Sequence, residues 1–190
     1  MCKPASGVFV KGHIAYWSEH SDSHEEIIKE HELNADGIRG TNIVRFEITP
    51  PEGDMLKPLN DWKYALDEGM ESCLPDWYDA KAAEKSARNM LKAWAKKKLI
   101  TGTVEELREG QYYLVGNANV KKLSGSSKVG SMYGSSKVGF MYDSSKVGSA
   151  KDNAVITIMR ADDKSYIKSA NVVVIDRSVS PPKRYVGVQK

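Results

Sequence analysis

Residues 125–151 read GSSKVGSMYGSSKVGFMYDSSKVGSAK, which is one nine-residue phrase written three times. Each copy is too short to bury an apolar face of its own, so neighbouring copies must stack on one another. The alternation of Ser127, Val129 and Ser131 is typical of a short strand, and the Gly or Asp that opens each copy supplies a turn. The sequence therefore predicts a short C-terminal β-solenoid of the β-helix or β-roll type.

The spacing of nine extends beyond the three clear copies. One apolar column at this spacing contains Val120, Val129, Val138, Val147 and Ile156, and a second contains Leu123, Met132, Met141, Ala150 and Met159. These fixed positions argue against the alternative of a flexible Gly/Ser linker. The nine-residue period does not determine the number of phrases per coil. Two phrases per coil make a flattened two-sheet roll, and three make a triangular prism.

Residues 1–110 are predicted to form a small α+β head, an antiparallel sheet with two helices, and residues 111–190 the solenoid with its cap. The head elements are a hairpin over Val8–Tyr16, a helix capped by Ser23 and Glu26, strands over Val44–Ile48 and Trp62–Leu66, and a long helix from about Asp76 to Leu99. The stripe expected to be buried on the long helix contains Ala83, Ala87, Met90, Leu91 and Trp94. Two closing strands, over 170–178 and 181–188, are expected to cap the solenoid.

Charge is distributed unevenly along the 190 residues. The whole chain has a formal net charge of +3, but residues 116–190 hold 13 Lys and Arg against 5 Asp, a net charge of +8. The remainder is acidic, which predicts two surfaces that attract different partners. The sequence contains no apolar run of membrane length and only two cysteines, so we expect a protein without membrane contacts in a reducing cytosol.

No pattern of residues dictates a reaction or a metal site. The nonapeptide calcium repeats share the period, but they place aspartates and paired glycines on the turns, where this chain has Ser and Lys. His20 and His24 have the spacing of two ligands on a helix, but His20 precedes the predicted cap at Ser23. We therefore expect no catalytic residue, no metal, no cofactor and no enzymatic activity.

The candidate binding residues lie in the repeat. They are Lys128, Lys137, Lys146, Tyr133 and Tyr142. Matching lysines that share a face form a ladder of like charge, which is unfavourable unless an acidic surface, phosphate or solvent meets it. Outward lysines also keep sheet edges soluble, and that use is the alternative interpretation. The few arginines and aromatic residues argue against sequence-specific reading of nucleic acid.

Several stretches resemble a family of uncharacterised small proteins from tailed bacteriophages and prophages. They are MCKPAS at residues 1–6, WSEHSDSHEEII at 17–28, ITPPEGD at 48–54, LPDWYDA at 74–80, the SSKV phrases, and VIDRSVSPPKRYVGV at 174–188. The resemblance covers nearly the whole chain, and it implies a head followed by a variable number of SS-x-V phrases. It implies no catalytic residue, and the lysine of each phrase departs from the threonine that is common in the family.

We expect a non-enzymatic binding protein that docks on a host protein or nucleoprotein and blocks or adapts it. By analogy with small phage accessory proteins, one form of this function is inhibition of a host defence system, as an anti-CRISPR protein does. The alternatives are a module or enzyme that holds a nucleotide-like anion at the junction of head and solenoid, and a minor structural protein of the virion. A homodimer through the solenoid end is expected if the cap is imperfect.

Overall fold

In the computed structural model, which describes residues 4–33, 42–161 and 172–187, the predicted α+β head and C-terminal β-solenoid are both present. The chain divides into two compact units, residues 1–96 and 97–190. Strands at Leu99–Ile100 and Thr103–Leu107 already pair with strands of the solenoid, so the solenoid begins before residue 111. Within the described residues, no helix has the length and apolar character needed to cross a membrane.

The head contains one antiparallel sheet and two helices. The strands are β1 (Ser6–Val10), β2 (Ile14–Tyr16), β3 (Ile43–Thr49) and β4 (Lys63–Leu66), in the order β2-β1-β3-β4, and the helices are α1 (His24–Glu30) and α2 (Ala80–Lys98). Short 3-10 turns occupy Pro51–Gly53, Leu59–Asp61 and Met70–Ser72. Each strand that the sequence predicts is therefore present, and the sheet is antiparallel throughout.

One helix start and one helix cap differ from the prediction. Helix α2 begins at Ala80 and not near Asp76, because Asp79 is the residue that caps it: the Asp79 carboxylate accepts the Ala82 amide at 2.7 Å. At α1, Ser23 is the N-cap with an extended backbone, but its hydroxyl makes no capping hydrogen bond, so the predicted capping box does not form.

Aromatic pairs fill the core of the head. The rings of Phe9 and Phe46 stack with their centroids 4.1 Å apart, and Trp62 meets Trp94 edge-on at 5.9 Å. The predicted stripe of α2 is confirmed, since Ala83, Ala87, Met90, Leu91 and Trp94 are all buried. The indole nitrogen of Trp94 donates to the buried carboxylate of Asp22 at 3.1 Å, which satisfies a polar atom that the ring carries into the core.

The solenoid has two sheets, and its strands up to residue 161 run parallel and alternate between them along the chain. The short solenoid sheet contains β5 (Leu99–Ile100), β7 (Gln111–Leu114), β9 (Lys128–Met132) and β11 (Lys146–Ala150). The long solenoid sheet contains β6 (Thr103–Leu107), β8 (Asn119–Leu123), β10 (Lys137–Asp143), β12 (Val155–Ala161), β13 (Val173–Asp176) and β14 (Lys183–Val186). Strand β14 pairs antiparallel with β13, and together they form the predicted closing strands.

Two phrases make one coil. Val129 pairs with Val147, eighteen residues further along the chain, and Val138 pairs with Val120 and Ile156 at the same interval. Consecutive phrases therefore lie in opposite sheets, and the repeat forms the flattened two-sheet roll rather than the prism, with about four turns. Both apolar columns point into the space between the sheets, where Val129, Val138 and their neighbours are buried.

One member of the second column was predicted wrongly. The column contains Leu123, Met132, Met141 and Ala150 as expected, but its fifth member is Ile158 and not Met159. The cause is a β-bulge in β10: between the pairs Val138–Ile156 and Met141–Ile158, β10 carries one more residue than β12. Ile158 is therefore fully buried, while Met159 is half-buried on the other side of the strand.

The first residue of each phrase turns the chain between the sheets. Gly125, Gly134, Asp143 and Asp152 all have φ between 55° and 69°, in the left-handed region. Each aspartate also caps the coil before it, because Asp143 accepts the Gly125 amide at 3.0 Å and Asp152 accepts the Gly134 amide at 2.8 Å. The carboxylate bond offsets the strain that a side chain incurs at this backbone conformation.

The second serine of each phrase lies in the buried corner of the roll. Ser127 Oγ donates to the carbonyl of Ser124 at 2.7 Å, and Ser145 Oγ donates to the carbonyl of Tyr142 at 2.6 Å. Ser136 is equally buried, but its hydroxyl is the one side-chain oxygen that lacks a partner among the buried atoms of the described residues.

This difference predicts opposite effects for one substitution at two matched positions. Ser136→Ala is expected to raise the free energy of unfolding by up to about 1 kcal/mol, because it removes an unsatisfied hydroxyl. Ala118 and Ala154 hold the positions one coil before and after Ser136, so alanine fits this corner. Ser127→Ala is expected to lower the free energy by about 1 kcal/mol. Urea unfolding of both variants measures the effects, and a loss at Ser136 as large as that at Ser127 would contradict the assignment.

Candidate binding faces of the solenoid

The five candidate binding residues are divided between the two sheets. Lys128 and Lys146 are direct partners on β9 and β11 of the short solenoid sheet, and Tyr133 follows β9. Lys137 and Tyr142 belong to β10 of the long solenoid sheet. All three lysines are exposed, as predicted, but Lys137 cannot join a ladder with the other two, because alternate phrases lie in opposite sheets.

We call the aligned row Gln111, Lys128 and Lys146 on the short solenoid sheet the lysine ladder. The three residues are partners in register on β7, β9 and β11. Adjacent strands lie about 4.8 Å apart, so the two lysine side chains start from neighbouring points on one face. Next to the ladder, Gly130 has no side chain and faces the ring of Tyr113. Gln111 Nε2 donates to the Tyr113 hydroxyl at 2.9 Å.

On the long solenoid sheet, Lys122 is already paired with groups of its own chain. Lys122 Nζ lies 2.8 Å from Glu106 Oε1 and 5.6 Å from the centroid of the Tyr142 ring. Glu106 also accepts hydrogen bonds from Arg108 at 2.9 Å and from Ser124 at 2.7 Å. The hydrogen bond from Lys122, with those from Arg108 and Ser124, lowers the pKa of Glu106 to about 2. This cluster is therefore an ion-pair network at the first coils and not an uncompensated cationic site.

Both candidate tyrosines already contact a cation of their own chain. Lys151 Nζ lies 5.6 Å from the centroid of the Tyr133 ring, as Lys122 Nζ does from that of Tyr142. These distances are within the range of cation–π attraction. The two rings therefore hold lysine side chains against the solenoid, and both tyrosines are partly exposed.

Comparisons with protein-family models, curated proteins and solved structures find no match to this chain. The described residues include no group of three or more His, Cys, Asp or Glu placed to hold a metal ion. Of the histidine pair, His20 is exposed, whereas His24 is buried in the head with Nε2 at 3.0 Å from the carbonyl of Phe46. His24 is thus part of the packing of the head.

The sequence interpretation overlooked Phe140. Its side chain is 42% exposed in β10, on the outer side of the long solenoid sheet. The corresponding residues in the other two copies are Ser131 and Ser149, whose hydroxyls hydrogen-bond to each other at 2.8 Å. The signal was present in the repeat itself, because Phe140 interrupts three otherwise matching phrases with a large apolar residue at a position that faces water.

Proposed function

We propose that this protein is a phage-encoded, non-enzymatic binding protein that docks on a host protein or nucleoprotein in the bacterial cytoplasm and blocks or adapts it. The observation that carries the proposal is the lysine ladder, in which Lys128 and Lys146 are exposed, aligned and adjacent. Two positive charges that are aligned on neighbouring strands offer an anionic partner two adjacent contacts. The resemblance to phage proteins supports the phage origin and the host target.

The shape of the solenoid supports docking. Each sheet of the roll presents a row of side chains at a fixed spacing, since the parallel strands repeat in register over several coils. Residues 116–190 carry a net charge of +8, so the field around the solenoid attracts acidic surfaces and speeds their encounter. Inhibition of a host defence system, in the manner of an anti-CRISPR protein, is one form of this function.

Neutralising the ladder is expected to weaken binding to the partner about tenfold and to flatten its dependence on salt. The variant is Lys128→Gln with Lys146→Gln, and the matched control is Lys81→Gln with Lys85→Gln, which removes the same charge from the exposed side of helix α2. The measurement is affinity capture by the full chain from nuclease-treated bacterial lysate at low and high salt, quantified by mass spectrometry.

Two results would contradict the proposal. Equal capture by the ladder variant and the control would remove the lysine ladder from the mechanism. Retention of nuclease-sensitive material alone would show a nonspecific affinity for polyanions, because phosphate contacts dominate such binding and carry no information about a protein target.

A further inference from the structure

A row of apolar residues crosses the outer side of the last strands of the long solenoid sheet. Val155, Val173 and Val186 are partners in one row across β12, β13 and β14, and Ile175 lies on the same side of β13. The residues between them, such as Ile156 and Val174, point into the core. Phe140 lies on the same outer side of β10, with Thr157 between it and Ile175. We call the apolar residues of this side the apolar face: Phe140, Val155, Val173, Ile175 and Val186.

Exposure distinguishes the apolar face from ordinary surface. Phe140 is 42% exposed and Val186 is 58% exposed, while Val155, Val173 and Ile175 are half-buried. Single exposed apolar side chains are common, but a row aligned across neighbouring strands, as Val155, Val173 and Val186 are, is typical of an interaction site. Packing inside the roll does not account for Phe140, because the other two copies of the phrase fold with serine at this position.

The rim of the apolar face is cationic. Lys137 is the partner of Val155 on one side, and Arg184 is the partner of Ile175 on the other; both are exposed. The described carboxylates of β10, β12, β13 and β14 are occupied: Asp143 accepts the Gly125 amide at the turn, and buried Asp176 accepts the Ser178 amide at 2.9 Å. The face therefore combines an apolar centre with positive charge at its edges.

We propose that the apolar face docks a protein whose own contact surface has apolar side chains bordered by carboxylates, with Phe140 as the anchor. This inference rests on the proposed function, and it adds the partner's chemistry and a second contact face, on the sheet opposite the lysine ladder. A second copy of this face would bring Lys137 and Arg184 against like charges, which disfavours self-association. Nucleic acid is disfavoured because Phe140 is the single ring of the face, and its valines and isoleucine offer no further surface on which bases stack.

The test uses the full chain and polymers of known composition. The probe is a random copolymer of glutamate and tyrosine, with poly-glutamate, oligo(dT) and a copolymer of lysine and tyrosine for comparison, and the readout is affinity by biolayer interferometry. Phe140→Ser introduces the serine that the other two copies have at this position, so the variant is expected to fold normally. Val173→Thr replaces a second residue of the face by a polar one of the same shape. The control is Leu56→Ser, which removes an exposed apolar side chain, 57% exposed, from the head.

We expect the wild type to bind the glutamate–tyrosine copolymer more tightly than poly-glutamate, and Phe140→Ser to lose about tenfold in affinity for it. Val173→Thr should lose less, and Leu56→Ser should lose nothing. Equal affinity for the copolymer and poly-glutamate would overturn the apolar contact, and tighter binding of oligo(dT) would reassign the face to nucleic acid. Self-association of the wild type that Phe140→Ser abolishes, measured by sedimentation, would reassign it to a homodimer.

The two proposals fail in different ways. If Phe140→Ser keeps its affinity for the copolymer while Lys128→Gln with Lys146→Gln loses it, the apolar face is not the docking site and the proposed function stands on the lysine ladder. If neither variant changes either the copolymer affinity or the capture from lysate, both proposals fall.

Discussion

Leu123→Ala is expected to lower the free energy of unfolding of the solenoid by about 2–5 kcal/mol. Leu123 ends β8 in the centre of the roll, is 0% exposed, and is flanked in register by Leu107 and Met141. Each coil of a solenoid contacts only its neighbours, so a cavity in a central column weakens the interfaces on both sides. The coils are held by strand pairing and cannot collapse into the space, which places the expected loss toward the upper part of the range.

The matched control for this prediction is Leu56→Ala, the same substitution at a side chain that is 57% exposed. Its effect should stay within about 0.5 kcal/mol. Thermal and urea unfolding of the two variants provide the comparison. Equal stabilities for Leu123→Ala and Leu56→Ala would mean that the second apolar column does not form the core of the roll.

Gly139→Ala is expected to lower the free energy of unfolding by about 1–3 kcal/mol, although it adds a single methyl group. A Cβ at Gly139 would lie 2.6 Å from the carbonyl oxygen of Lys121 on the neighbouring strand. That atom belongs to the backbone of a paired strand, so it cannot move without breaking the ladder of hydrogen bonds. The same close approach occurs at Gly148, where the Cβ would meet the Gly130 carbonyl at 2.8 Å.

Two control variants separate the effect of a clash with the neighbouring backbone from the general effect of replacing a glycine. Gly102→Ala should have little effect, because no atom lies within 4 Å of the added Cβ and the backbone is not left-handed there. Gly130→Ala should have an intermediate effect, because the atom met at 2.8 Å belongs to the ring of Tyr113, a side chain that can shift. Equal losses at Gly139 and Gly102, measured by thermal unfolding, would show that strand spacing does not select the glycine of the phrase.

The solenoid was predictable because the same residue types recur at equivalent positions of every phrase. Valine at one position and methionine or leucine at another define the buried columns without any knowledge of the coil. The number of phrases per coil was not predictable, since a nine-residue period is compatible with either geometry. The sequence also did not show that Ile158, and not Met159, is the fifth buried residue of the second column. That outcome depends on a bulge in β10, which changes how β10 and β12 pair.

For the candidate site, the residue types and their exposure were predictable from the sequence, but their arrangement on the two faces was not. The exposure of Lys128, Lys137 and Lys146 followed from their alternation with buried valines. Their division between two faces depends on the coil and required the structure. The apolar face joins β10 to strands beyond the clear repeats, so no single phrase contains its pattern. In the head, the start of α2 depended on which of two aspartates capped it, a choice that tertiary contacts decide.

Both binding faces depend on a coil of two phrases, and disulfide trapping tests that coil most directly. In a background of Cys2→Ser and Cys73→Ser, Lys128→Cys with Lys146→Cys is expected to form a disulfide under mild oxidation, because in-register partners on neighbouring strands satisfy its geometry. Lys128→Cys with Lys137→Cys should stay reduced, since these residues lie in sheets about 10 Å apart and face outward. A disulfide between cysteines at 128 and 155, with none between 128 and 146, would indicate three phrases per coil and contradict both binding faces.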